Sequence, residues 1–212
     1  ALAARIPVVL NASTTNPEDA ARIAAAGPLV MAMHNFYPRP ETGLDDEFFL
    51  ESTRALQVSG LKVLAFIPGD GALRGPIYEG LPTLERHRSL PPSVCFADLA
   101  ARFGVDGIFV GDPGISAREQ ARIARYCREG VLELPADLEQ QSDWLYDRVF
   151  TCRPDSPAWI IRFTESREYS CFGKQVEPEN CLPRVRGSIT VDNDGYGRYS
   201  GEVQLVRSDL PV

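Results

Sequence analysis

At 212 residues, with 44% hydrophobic and 24% charged positions, the chain is long enough for one large or two small domains and is neither disordered nor fibrous in composition. A formal net charge of −7 and a pI near 5.0 work against sequence-independent binding to nucleic acid, which depends on clustered Lys and Arg releasing counterions. No apolar run reaches the roughly 18 residues of a membrane helix, and the start ALAARIPVVL lacks the layout of a signal peptide, so a cytoplasmic protein with no membrane role is expected.

Taken in chain order, the first half repeats one pattern: a short apolar run ends in polar or glycine-rich residues, and a helical stretch follows. That is the grammar of βα units. Pro7 to Ala12 predicts a buried parallel strand, and Asn16-Pro17-Glu18 supplies an N-cap, a first-turn proline and an acidic first turn for a helix running to about Gly27. Leu29 to Phe36 predicts the second strand; Asp45-Asp46-Glu47 opens the next helix, and Gly60 closes it. Lys62 to Ile67 predicts the third strand, followed by a long Gly- and Pro-rich loop from Pro68 to Pro92. A helix from about Ser93 to Phe103 leads to a fourth strand, Gly107 to Val110, and Ser116 caps a helix to Arg128.

After Gly130 the alternation stops, and 131–138 reads as a connector. From Trp144 onward only short strand-like runs are expected, at Trp159 to Phe163, Gly187 to Val191 and Gly201 to Val206, with Asp192-Asn193-Asp194-Gly195 as the turn of a hairpin. The fold class expected is therefore α/β, with strand-and-helix units over residues 1–138 and a small all-β domain over 139–212. No GxGxxG or Walker loop follows any strand, so a nucleotide-binding doubly wound sheet has little support, and a (β/α)8 TIM-type barrel of which four units are visible fits better.

In such barrels the site lies at the C-terminal ends of the strands, which points to Asn11, His34, Asn35, Asp70 and Asp112. The segment from His34 to Gly43 also carries Tyr37, Arg39 and Glu41, a mixture of donors, an acid and an aromatic that suits a charged, polyhydroxylated ligand. The long loop adds Arg74, Tyr78, Glu79, Arg86, His87 and Arg88, whose arginines can fork onto phosphate or carboxylate. A structural reading of the same residues makes Tyr37 a core cap, Pro38 and Pro40 loop stiffeners, and the arginines solvated charges.

Glycosidic hydrolysis normally needs two carboxyl groups, and Glu41, Asp70, Glu79 and Asp112 are the available acids. Asp70 and Glu79 are ranked first as the catalytic pair. The two histidines form neither HExxH nor His-x-His, so metal catalysis is disfavoured and no cofactor is expected. Covalent acyl chemistry has no G-x-S-x-G elbow, and a Schiff-base mechanism is disfavoured because Lys62 and Lys174, the sole lysines, end no predicted strand. Cys95, Cys127, Cys152, Cys171 and Cys181 never form CxxC and are expected to be reduced, mostly buried thiols.

HNFYPRPETGL, FIPGD, RGPIYEGLPTLERHR and IFVGDP together resemble the bacterial 6-phospho-N-acetylmuramidase family, and RVRGSITVDNDGYGRYSGEVQLV resembles its small C-terminal domain, described as a cyclophilin-like β barrel. The resemblance implies a cytoplasmic glycoside hydrolase that releases N-acetylmuramic acid 6-phosphate from a phosphorylated amino-sugar disaccharide during cell-wall recycling. It also implies that the visible strands are the last four of eight, with the N-terminal half of the barrel and the extreme C-terminus lacking. A non-catalytic phosphosugar-binding protein, or an inactive fragment of such an enzyme, is the alternative. In the second domain Arg148, Arg162, Arg167 and Arg186 are further candidates for phosphate or carboxylate contact, against an ordinary role in ion pairs.

Overall fold

The computed structural model describes residues 6–25, 27, 30–138, 140–171 and 175–212. Leu29, Glu139 and Lys174, on which expectations above fall, and the side chain of Cys171 lie outside the described residues. The chain divides into two compact units, Ala1–Pro135 and Ala136–Val212.

The first unit is built on a parallel sheet of four strands, β1 (Val8–Asn11), β2 (Val30–Met33), β3 (Lys62–Ile67) and β4 (Gly107–Val110), in the order β1-β2-β3-β4. Each strand is joined to the next through helix: α1 (Pro17–Ala24), α2 (Asp46–Val58) and α3 (Pro92–Asp98), which runs on as a π-helical turn over Leu99–Phe103. Helix α4 (Ala117–Glu129) follows β4. The inner strands β2 (VMAM) and β3 (KVLAFI) are apolar apart from Lys62, the pattern of strands whose faces are covered.

Local chemistry sets the helix starts. Asn16 Oδ1 accepts from the backbone N–H of Glu18 at 2.7 Å and of Asp19 at 3.3 Å, Asp45 Oδ1 accepts from Phe48 N at 2.9 Å, and Ser116 Oγ accepts from Glu119 N at 3.3 Å. These side chains meet orphan first-turn donors that the helix itself leaves unpaired. Helix α2 ends on Ser59, and Gly60 follows in the left-handed region at φ 89, where a side chain would be strained.

Register separates the two sheet faces. Val9 pairs with Met31, Met33 with Leu64, and Phe66 with Phe109, so these residues share one face. Val30, Ala32, Val63, Ala65 and Ile67 share the other and meet Ala20 and Leu56 in one buried cluster and Phe49, Leu84, Cys95, Leu99 and Phe103 in a second. The helices therefore cover one face. On the opposite face the outer strands leave Val9 46% and Phe109 48% exposed.

The second unit holds an antiparallel sheet in the order β5-β7-β6, made of β5 (Ile160–Arg162), β6 (Ile189–Val191) and β7 (Val203–Val206). It also contains a short helix, α5 (Ser166–Cys171), and 3-10 segments at Gln140–Leu145 and Asp194–Tyr199, which the expectation of strands alone did not include. Ser166 Oγ donates to Val203 O and accepts from Val203 N at 2.7 Å, tying α5 to the middle strand. Strands β6 and β7 pair as expected, but Asp192 to Glu202 is no tight turn. Asn193 Oδ1 accepts from Gly195 N, and the chain winds through the 3-10 segment before β7.

The expectation of mostly buried cysteines is corrected. Cys95 is buried, and burial pushes its thiol up to about 12, whereas Cys127, Cys152 and Cys181 are exposed.

Two stability predictions follow from the second cluster. Phe49 is fully buried, with its ring centroid 4.5 Å from His34 and 5.0 Å from Phe103. Phe49→Ala should cost about 3–5 kcal/mol in urea unfolding of the first unit. Burial lowers the His34 ring from 6.5 to about 4, so the fold holds it neutral while the unfolded chain takes up a proton more readily. Its contribution is complete above about pH 6.5 and is lost as pH falls toward 4, and His34→Asn should flatten that part of the stability-versus-pH curve.

Candidate functional site

The loops after β2 and β3 run side by side beyond the sheet. Tyr37 N donates to Pro82 O, Leu44 N to Thr83 O and Glu85 N to Leu44 O, each within 3.0 Å, and Leu44 and Leu84 form a parallel bridge. Thr83 Oγ1 fastens this seam to the strands, donating to Asn35 O at 3.0 Å and accepting from Phe66 N at 2.9 Å. Tyr37 Oη lies 3.4 Å from Ser13 Oγ in the loop after β1, whose Asn11 Oδ1 accepts from Ser13 N. Asn11, Asn35, Tyr37, Arg39 and Glu41 thus lie along one seam at the C-terminal ends of the strands.

Arg74 joins them through its guanidinium, which sits 5.7 Å from the Phe36 ring centre; Phe36 packs edge-on against Phe66. Of the arginines read as anion ligands, Arg74 has no carboxylate partner among the described residues. Arg86 is bound to Asp46 at 2.6 Å and to Asp98, and Arg88 forks onto Glu85 at 2.6 Å. Tyr78 is 62% exposed and holds φ at 62, and Glu41 holds φ at 67. A non-glycine residue in that region is strained by about 1–2 kcal/mol, and these two of the four such residues described lie at or beside a loop carboxylate, Glu41 or Glu79. Both carboxylates are exposed, and no donor meets either among the described residues.

Other expected site residues lie elsewhere. His34 is fully buried on the helix-covered side, with Nε2 3.0 Å from Thr53 Oγ1, so it is a core residue and not a ligand contact. His87 is also fully buried, its Nε2 2.9 Å from Asp98 Oδ2. Asp112 is only 6% exposed, and its two oxygens accept from the backbone N–H of Gly69, Leu81 and Arg74 at 2.8, 3.0 and 3.0 Å. That carboxylate is committed to holding the long loop against the end of β4 and is not free to act as a substrate ligand.

Asp70 is exposed but engaged. Its Oδ1 accepts from Ser116 N and its Oδ2 from Ser116 Oγ, both at 2.7 Å, at the start of α4. Partial desolvation pushes this carboxyl up, but the two Ser116 hydrogen bonds outweigh it and hold it below the usual carboxylate range. A group held ionised is a poor proton donor at neutral pH. Asp70 also lines a cleft of about 400 Å³ with Arg88, Pro91, Pro92, Arg118 and Arg122, on the side of α3 and α4. There Arg122 is paired with Glu119 at 2.7 Å and Glu133 at 2.9 Å.

Glu85 was not singled out from the sequence, yet it accepts from Glu41 N at 2.9 Å, Gly43 N at 2.7 Å and two nitrogens of Arg88. The Arg88 hydrogen bonds, opposed by desolvation and reinforced by the Glu41 and Gly43 amides, hold its carboxyl down at about 2. The spacing Glu85-x-x-Arg88 was a visible signal for the ion pair, though not for the amides it also meets. In the second unit Arg162 and Arg167 lie 3.7 and 4.0 Å from Glu202, which favours the ion-pair role for both.

Among the described residues no helix is long and apolar enough to cross a membrane, and no group of three His, Cys, Asp or Glu is arranged to hold a metal ion.

Comparison with known proteins gives these observations a family. The model described as 6-phospho-N-acetylmuramidase, N-terminal, matches residues 2–125, and the corresponding C-terminal model matches residues 132–212. A crystal structure of a conserved protein from a locus in Enterococcus faecalis with an unknown function is similar at 38% identity and a TM-score of 0.80, over 98% of this chain and 58% of that one. A crystal structure of an uncharacterized B. cereus protein is similar at 25% identity and a TM-score of 0.68, over 97% of this chain and 61% of that one. This chain thus spans about three fifths of the length of those solved relatives. Among curated proteins none matches. With both family models together covering nearly its whole length, the chain belongs to the 6-phospho-N-acetylmuramidase family.

Proposed function

We propose that the chain acts as a glycoside hydrolase of the 6-phospho-N-acetylmuramidase type, releasing N-acetylmuramic acid 6-phosphate from a peptidoglycan-derived disaccharide in cell-wall recycling in the cytoplasm. The observation that carries this reading is the consecutive match of the N-terminal and C-terminal family models. The seam of Asn11, Asn35, Tyr37, Arg39, Glu41, Arg74, Tyr78 and Glu79 is the proposed substrate face.

The four-stranded sheet belongs, in this proposal, to a (β/α)8 barrel. Strands that follow one another in space as they do in sequence, all parallel and with helices on a single face, wind in one direction, whereas a doubly wound sheet reverses and puts helices on both faces. The second unit is read as the cyclophilin-like domain, with the domains divided at 138 and 139.

The chemistry assigns roles by partner. Glu79 and Glu41, exposed on the two loops and not engaged by any donor among the described residues, are the carboxyls proposed to face the scissile bond. Asp70, held ionised by Ser116, is suited only to act as a base or a fixed negative charge. Arg74, stacked on Phe36 and without a carboxylate partner, is the proposed contact for the substrate's phosphate or lactyl carboxylate.

Glu79→Gln should lower turnover of the phosphorylated disaccharide at least a hundredfold, as judged by product release on chromatography, with little change in the unfolding midpoint. Asp70→Asn should lower it less and shift stability through weakened hydrogen bonds to Ser116 at the start of α4. Unchanged turnover in Glu79→Gln would remove that residue from the mechanism. Calorimetric binding of the disaccharide with no product from the wild-type chain would instead favour the reading as a phosphosugar-binding protein.

A further inference from the structure

We infer that Glu85 and Arg88 are positioning residues, a single ion pair that holds the loops after β2 and β3 as one unit and so sets Glu41 and Glu79 relative to each other; this rests on the function proposed above. Glu85 Oε1 accepts from Glu41 N at 2.9 Å and Arg88 Nε at 2.6 Å, and Oε2 accepts from Gly43 N at 2.7 Å and Arg88 Nη2 at 2.6 Å. The carboxylate thus meets two amides of the first loop and the guanidinium of the second.

Arg88 completes the tie from the other side. Its Nη1 donates to Gly80 O at 3.1 Å and Glu79 O at 3.3 Å, and its Nη2 donates to Arg39 O at 3.1 Å. With the two bonds to Glu85, all five N–H groups of the guanidinium are used. No other side chain offers five donors in one plane, so Lys cannot reproduce the arrangement. The Arg88 side chain is only 9% exposed, which keeps water from competing for these bonds.

Backbone shape agrees with this assignment. A Cβ on Gly43 would lie 2.7 Å from Glu85 N and 2.7 Å from its Oε2, so the first loop can seat directly on Glu85 only because residue 43 lacks a side chain. Glu41 and Tyr78, the non-glycine left-handed positions of these two loops, lie one on each loop that the pair joins. Such conformations persist only where surroundings over-determine them, and the pair provides that constraint for Glu41 through its amide. The separation of two catalytic carboxyls decides between retaining and inverting hydrolysis, so a device that sets loop spacing acts on the reaction without touching substrate.

The test combines amide hydrogen exchange with kinetics on the whole chain, for Glu85→Gln and Arg88→Lys. Exchange at Glu41 and Gly43 should rise at least tenfold in both variants, and over 78–80 in Arg88→Lys, while amides of β3 stay as protected as in the wild type. Wild-type protection at Glu41 and Gly43 in Glu85→Gln would overturn the inference, as would uniform loss of protection through β3 in both variants. The kinetic arm expects kcat for the phosphorylated disaccharide to fall at least tenfold with KM changed by less than threefold, and the double variant to lose no more than the worse single one. An unchanged kcat with faster loop exchange would reduce the pair to a structural role and overturn its positioning role. If the wild type shows no turnover, the proposed function fails, and exchange alone still decides whether the pair joins the loops.

Discussion

Backbone amides in the loops beyond the parallel sheet have no ladder to donate to, and a buried amide without an acceptor costs free energy comparable to a lost hydrogen bond. In the first unit that demand is met by carboxylates. Asp112 takes the amides of Gly69, Arg74 and Leu81, Glu85 those of Glu41 and Gly43, and Asp70 that of Ser116. Each ionised carboxylate offers two oxygens and several lone pairs, so one side chain can gather donors from segments that no regular structure brings together. Close approach is then required around each acid. Gly69 lies where a Cβ would sit 2.8 Å from Asp112 Cβ, so the glycine is part of the Asp112 arrangement.

That use of acids divides them into two sets. Glu85, which takes two amides and a guanidinium, and Asp70, which takes the amide and the hydroxyl of Ser116, are held below the usual carboxylate range. Glu41 and Glu79, by contrast, meet no donor among the described residues and are left open to a ligand. Charge alone would not make this distinction. An excess of acidic residues over basic ones reads from the sequence as a surface property, yet Asp112, Glu85 and Asp70 each accept from loop backbone.

How much could be read from the sequence depended on the range of the interaction. Strands β3 and β4 match their expected spans, 62–67 and 107–110, because each is an apolar run bounded by a polar residue or glycine, and the Asn16, Asp45 and Ser116 caps were visible because their partners lie two or three residues away. Helix α5 was missed because SREYSC has no apolar period. The roles of Asp112 and Glu85 were illegible because their partners are some thirty to forty residues off. His34 is the instructive middle case. The alternation Val30, Ala32, His34 puts it on the helix-covered side, so its burial was readable by parity, and its place in the strand-end motif concealed that.

Helices α1 to α3 cover the face of Ala32, Val63 and Ala65, and among the described residues no helix packs in a buried cluster against the face of Met33, Leu64 and Phe66. A sheet with one covered face normally alternates apolar and polar residues, yet β3 is apolar on both sides after Lys62, and the outer strands expose Val9 and Phe109. Residues of that kind belong where a second apolar layer meets them. In the proposed barrel that layer is the inner side of other strands, with Phe66 and Phe109, 6.1 Å apart between ring centres, filling the interior directly beneath the loops. The packing that closes the barrel would then also support, through Phe66 and Phe36, the ring on which Arg74 rests, so that closure of the sheet and placement of the anion contact become one requirement.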